Sequence, residues 1–282
     1  MKRAWITGAG GLIGNYLVRS APKFAPEIDV IPLTRQALEL TDFAAVRAAF
    51  KTQKPQFIIH CAAISKSPAC QENPTLARLT NVQATQNLVE LAAAIPFVFF
   101  STDLVFDGQK GNYVETNAVN PTNIYAETKV AAEEIVRTHP HHLILREALT
   151  AGRSPAGDAA FNEQMRQAWQ AGKVLDLFTD EFRCPIPAVV TARAVWELVI
   201  KRVTGTFHLG GAEKLSRYEI GRLLANRHPE LNPRFIPASL RDYRGPTRAP
   251  DISMNCAKIQ SELSFPLPRF SDWLAAYPDE SI

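Results

Sequence analysis

In the stretch "PTNIYAETKVAAEEIV", Tyr125 stands four residues before Lys129. In a helix that spacing is just over one turn, so both side chains leave from one face. A cation beside a phenol favours the phenolate and draws its pKa, ordinarily near ~10, toward working pH. The hydroxyl can then trade a proton with a bound molecule. The same pair also suits a plain solvated helix face, so the surrounding elements have to decide.

A second motif carries chemistry of another kind. "TGAGGLIG" sets Gly8, Gly11 and Gly14 at three-residue spacing, directly after a short apolar strand and directly before an amphipathic helix. Gly8 permits the tight turn, Gly11 lets a pyrophosphate approach the backbone, and Gly14 lets the helix pack closely. The unpaired N–H groups of the helix start, at Leu12 and Ile13, face the anion. A dinucleotide site is therefore expected. At the end of the second strand, an acidic residue would select NAD by bonding the ribose 2′-OH. The chain has "LTRQ" there, and the Arg35 guanidinium suits a 2′-phosphate, so NADP(H) is preferred, with NAD(H) as the other choice. Asp42 can cap a helix or meet the adenine amino group.

Strand and helix patterns alternate around these motifs. "RAWIT", "DVIPL", "PQFIIHCAA", "PFVFFSTDLVF" and "HHLILREAL" read as strands, with Pro32 marking the end of the second. "FAAVRAAFKTQ", "PTLARLTNVQATQNLVELAAA" and the Tyr125–Lys129 segment read as helices. This order implies an α/β fold, a doubly wound parallel sheet with helices on both faces. The expected dinucleotide-binding domain is 1–150, with 179–210 returning to it. Residues 151–178 and 211–282 form a smaller C-terminal lobe. "FNEQMRQAWQAGK", "SRYEIGRLLANR" and "FSDWLAAY" are its helices, and the tract from Arg241 to Pro250 is irregular.

Bulk properties narrow the class. The chain has 282 residues, is 46% hydrophobic and 21% charged, and can bury a substantial core. A net charge of +3 gives no argument for nucleic acid or a membrane as partner. No apolar run is long enough to span a bilayer, and "MKRAWITGAGG" is not a secretory signal. Four scattered cysteines and six histidines show no metal-ligand spacing, so reduced thiols in the cytoplasm and no metal are expected. "THPHH" reads as a loop between helix and strand.

With "TGAGGLIG", "FFSTDLVFDG" and "NIYAETK" in this order, the chain resembles the extended short-chain dehydrogenase/reductase family, in its dTDP-4-dehydrorhamnose reductase branch. The resemblance spans nearly the whole length. "TDEFRCPIPA" and "GTFHLGGAEKLSRYEIG" match later parts of that branch. It implies a Rossmann-type domain, a nucleotide-sugar substrate, and a Thr, Tyr and Lys doing the chemistry: Thr102, Tyr125 and Lys129. It places Cys61, Ala62, Ala63 and Ser101 beside the cofactor, and Ser65, Asp103, Val105, Phe106, Arg183 and Arg248 on the substrate side. Two departures also fall on the substrate side. Leu149 stands where the branch has a Trp, and "SKSPACQ" replaces an acidic segment. A nucleotide-sugar epimerase or dehydratase, helped by Asp103, and a non-catalytic dinucleotide-binding regulatory subunit are the rival readings. The helices around "NVQATQNLVELAAA" and "KVAAEEIVRT" suit either a homodimer interface or core packing.

Overall fold

The computed structural model describes residues 2–245 and 247–280. The first half runs β1 (Lys2–Thr7), α1 (Leu12–Phe24), β2 (Ile28–Leu33), α2 (Phe43–Gln53), β3 (Phe57–His60), α3 (Ser67–Glu72), α4 (Pro74–Arg78), α5 (Ala84–Leu91), β4 (Phe97–Thr102), α6 (Ile124–Arg137) and β5 (His142–Glu147). The remainder runs β6 (Thr150–Ala151), α7 (Phe161–Gln170), β7 (Val174–Phe178), β8 (Phe182–Arg183), β9 (Ile186–Pro187), α8 (Ala188–Lys201), β10 (Gly205–Leu209), β11 (Leu215–Ser216), α9 (Arg217–Arg227), β12 (Arg234–Ala238), α10 (Ala257–Gln260) and α11 (Phe270–Ala276).

Six parallel strands form one sheet in the order β10-β5-β4-β3-β1-β2. The order reverses after β1, the topology of a Rossmann-type doubly wound sheet. Strand periodicity of two sorts the core into two layers. Ile6, Ile59, Val98, Phe100 and Leu145 pack with Leu17 of α1 and Trp196 of α8. Their neighbours Trp5, Ile58, Phe97, Phe99 and Ile144 pack on the other face with Val46, Leu88, Ala132 and Val136 of α2, α5 and α6. The apolar stripes of α5 and α6 thus go into the core of their own chain.

Pro32 does not end β2, as the sequence suggested; the strand continues to Leu33. Because β2 is the edge strand and pairs only with β1, a missing N–H costs no ladder bond on its free side.

After β5 the chain leaves the sheet for α7 and short strand pairs, returns through α8 and β10, and leaves again. β7 and β12 pair in parallel, and β8 pairs with β11 in antiparallel fashion. "VLDLF" and "RFIPA", which form β7 and β12, were not legible as strands. A separate core of Phe161, Met165, Trp169, Leu224, Phe270 and Trp273 ties α7, α9 and α11 together.

Candidate active site

The glycine turn joins β1 to α1. Gly8 has φ +68°, and a Cβ there would lie 2.7 Å from the Ala62 backbone N. A Cβ at Gly14 would come within 2.3 Å of the Gly8 carbonyl, so the first turn of α1 can sit on the loop only with glycine at that place. Gly11 differs: an added Cβ meets only the Gly8 carbonyl, at 3.3 Å, and otherwise faces open space. Gly11 is also the N-cap of α1 and supplies no side-chain cap, and the first turn holds no acidic residue. The N–H groups of Leu12 and Ile13 therefore keep their affinity for an anion. A cradle of this form fits a dinucleotide pyrophosphate.

Arg35 lies beyond the end of β2, three-quarters exposed, with Glu39 at 3.7 Å as a loose partner. Asp42 uses Oδ1 to cap α2 by accepting from the Ala45 N–H at 3.0 Å. Cys61, Ala62 and Ala63 follow β3 and are partly buried, whereas Ser65 is exposed. The Ala62 N–H donates to Thr7 Oγ1. That same hydroxyl lies 2.7 Å from Nδ1 of His60, whose Nε2 is 3.0 Å from Thr85. Burial, then the Lys129 charge, push the His60 pKa down to about 3, so this ring is a neutral structural link between β1, β3 and α5.

Asn123 caps α6 by accepting from the Ala126 N–H at 3.0 Å. That cap sets Tyr125 in the first turn and Lys129 in the second, both buried and turned toward the carboxyl end of the sheet. Their electrostatics depart from the expectation of a phenol made acidic by its lysine. Burial pushes the Tyr125 hydroxyl well above the ordinary phenol value, and Asp103, Glu147 and Cys70 add to the rise, with the Thr102 hydroxyl opposing. The Lys129 ammonium lies 4.0 Å above the Phe99 ring, and burial lowers its pKa to about 7. Desolvation dominates both groups, and neither charge is among the influences on the other.

Thr102, the last residue of β4, is buried and donates to Asp103 Oδ1 at 3.2 Å. Asp103 Oδ2 makes an ion pair with Arg183 at 2.8 Å. Arg248 grips Glu181 through two bonds of 2.6 and 3.0 Å, and Arg183 also lies 3.8 Å from Glu181. Arg217, at the start of α9, completes the cluster. Burial lowers its pKa to about 10, with Arg183 and Arg248 acting in the same direction and Glu181 opposing. Ser101 is buried, on the face of β4 that meets Glu133 of α6. Val105 and Phe106, expected to line a substrate pocket, are fully buried. Phe106 stacks on Tyr113 at 4.1 Å and carries the Arg146 guanidinium at 5.2 Å. The turn after β4 folds these apolar residues inward, so they are core and not pocket.

Two placements were missed in the sequence. The long helix predicted from "PTLARLTNVQATQNLVELAAA" is interrupted by one π-helical turn over Leu79–Gln83. There Asn81 accepts from the Ile64 N–H at 2.8 Å and donates to the Ile64 carbonyl and to Thr128 Oγ1. Thr128 in turn donates to the Tyr125 carbonyl. The loop after β3 is thus tied to the helix that carries Tyr125. The only signal was an amide on an otherwise apolar stripe. Arg217 gave no signal at all, because only the lobe's return brings it to Glu181.

Among the described residues, no group of His, Cys, Asp and Glu side chains is placed to hold a metal ion. All four cysteines are free, and among the described residues no helix is long and apolar enough to cross a membrane.

Comparison with known proteins agrees with this architecture. A probable low-salt glycan biosynthesis reductase, Agl14, of Haloferax volcanii is 28% identical, covering 97% of this chain and 96% of the relative. A dTDP-4-dehydrorhamnose reductase of Sinorhizobium fredii is 26% identical over 96% of this chain and 94% of its own. The methionine adenosyltransferase 2 subunit beta of Xenopus laevis is also 26% identical, over 92% of this chain and 82% of its own. Among solved structures, a dTDP-4-dehydrorhamnose reductase of Clostridium acetobutylicum superposes with a TM-score of 0.88 at 26% identity, covering 98% of each chain. The fold is shared, at 23% identity and a TM-score of 0.88, with a Bacillus anthracis dTDP-4-dehydrorhamnose reductase solved in complex with NADP. With a match running over residues 1–281, this chain belongs to the RmlD substrate binding domain family, within the extended short-chain dehydrogenase/reductases.

Proposed function

We propose that this chain reduces a keto group on a nucleotide-activated sugar, using NADP(H) in preference to NAD(H). One observation carries the reading. Thr102, from the end of β4, and Tyr125 and Lys129, from the first two turns of α6, lie near the carboxyl ends of β3, β4 and β5, the edge at which the glycine turn opens. When bound, the dinucleotide supplies the hydride. Tyr125, protonated at neutral pH, delivers the proton to the carbonyl oxygen. Thr102, turning its hydroxyl from Asp103 to the substrate, donates a hydrogen bond to the same oxygen. Lys129 holds the ribose and gains charge as an anionic ligand enters its dry pocket.

Arg35 is the residue to meet a 2′-phosphate, and Asp42 has one carboxylate oxygen beyond its cap for the adenine amino group. The lobe of 151–178 and 211–282 closes the substrate side, where Arg183, Arg217 and Arg248 meet the diphosphate. Such an enzyme suits a reducing compartment such as the cytoplasm.

Replacing Tyr125 by Phe is expected to lower NADPH oxidation with dTDP-4-dehydrorhamnose or a related keto-sugar nucleotide by ~10²–10⁴-fold. NADPH binding, followed by its fluorescence, should persist. A variant with full turnover would remove Tyr125 from the mechanism. A wild-type protein that binds NADPH yet oxidises it with no sugar nucleotide would favour the reading as a non-catalytic dinucleotide-binding subunit, the relative of Xenopus laevis being named a methionine adenosyltransferase subunit.

A further inference from the structure

Glu147 ends β5 at the mouth of the site, and no role in the proton transfer falls to it. Its register partner in β4 is Thr102, and in β10 it is Leu209. Aligned residues of parallel strands share a face. Counting back from Glu147 through Leu145 and Leu143 gives the layer that packs on α1 and α8. Glu147 therefore stands on the side of the sheet from which α1 presents its free N–H groups. Although the residue keeps some contact with solvent, its Oε1 atom is buried and has no hydrogen-bond partner.

The groups around it leave little reason for a second anion there. Asp103 lies on the turn after β4, Cys61 on the loop after β3, and Tyr125 on α6; each interacts electrostatically with Glu147. Lys129, on the same helix, acts on Cys61. The hydroxyls of Thr150 and, on α8, Thr191 act on the carboxyl as hydrogen-bonding neighbours, yet at a geometry too loose to satisfy Oε1 or the Thr191 hydroxyl. Burial, with Asp103 assisting, raises the Glu147 pKa to about 8, while the two threonines oppose the rise. At neutral pH the side chain is mostly a neutral acid, with one O–H and one C=O to offer. A primary carboxamide has the complementary pair.

We propose that Glu147 is a cofactor-binding residue that, as an uncharged acid, donates a hydrogen bond to the carboxamide of the nicotinamide ring. This rests on the dinucleotide reading above. Its position on the α1 face, within electrostatic reach of Cys61 and Tyr125, suits the ring end of a dinucleotide whose pyrophosphate lies on α1.

The test compares NADPH with 2′-phospho-ADP-ribose, which lacks nicotinamide, in direct binding to the full chain. For Glu147→Leu, NADPH affinity should fall about tenfold while the truncated ligand binds as before. Glu147→Gln keeps a donor but cannot ionise. Wild-type affinity for NADPH should therefore fall more steeply than that of E147Q from about pH 7 to about pH 9. Lys129 also titrates across this range, so the difference between the two curves is the quantity read. Parallel curves overturn the proposal, as does an equal loss for both ligands, or E147L affinity within about twofold of wild type. It is equally overturned if only the KM for the keto-sugar moves, which would put the contact on the substrate. Should E147L fail to fold, the near-isosteric Gln variant decides alone. Wild-type protein that binds neither ligand would instead remove the dinucleotide reading, and this contact with it.

Discussion

Tyr125 and Lys129 share a face of α6, but burial governs the charge state of each, and neither acts on the other. A lysine whose folded pKa is about 7 against 10.5 in the unfolded chain weakens the ligand-free protein at neutral pH, since the unfolded state binds the extra proton. Stability linked to this group is present above 10.5 and is lost as pH falls toward about 7. Lys129→Met is accordingly expected to raise the thermal midpoint of ligand-free protein at about pH 7, the gain shrinking as pH approaches the ordinary lysine value. Melting curves across that range, with and without NADPH, check it. A midpoint unchanged or lowered at neutral pH would show that the ammonium is not desolvated. The spacing of the two residues was legible in the sequence because helical periodicity is local. Their charge balance was not, because Phe99 and Glu147 come from strands β4 and β5 and Asp103 from the turn after β4.

At the scale of elements, the glycine turn divides its work among positions that look alike in sequence. Gly14→Ala forces a Cβ against the Gly8 carbonyl and should cost about 1–3 kcal/mol of stability, read by chemical denaturation. Gly11→Ala, with open space before it, should leave stability nearly unchanged and weaken NADPH binding about tenfold or more, because the methyl enters the anion's place. Equal behaviour of the two variants would contradict the division. The boundaries of α2 and the return of β10 to the sheet were readable from caps and periodicity. The π turn at Asn81 was not, since it exists to meet Ile64 and Thr128 from elsewhere in the chain. Pro32 was misread because edge and centre of a sheet look identical in one dimension.

Across the whole molecule, three guanidiniums and two carboxylates join the head of β4 to the lobe. Arg183 bridges Asp103 and Glu181 while Arg248 holds Glu181. Under the proposed reading, a diphosphate arriving here competes with these carboxylates, which ties binding to rearrangement of the charges next to Thr102. Arg183→Gln is expected to raise KM for the sugar nucleotide about tenfold or more, with little change in NADPH affinity. Steady-state kinetics alongside direct NADPH titration separate the two. A change in NADPH affinity as large as that in KM would move Arg183 out of the substrate clamp.

The sequence alone determined the alternation of strands and helices, the glycine turn after the first strand, and the four-residue spacing of Tyr125 and Lys129, because each follows from periodicity or spacing within a short window, while Thr102 was singled out by the family resemblance. Tertiary structure decided what depends on neighbours distant in the chain. Val105 and Phe106 turn into the core, the arginines pair across the lobe, and a glutamate at the end of β5 is left with a buried, unpartnered oxygen. Burial and electrostatics are sums over all surrounding atoms, and those atoms are assembled only when the sheet closes on its helices.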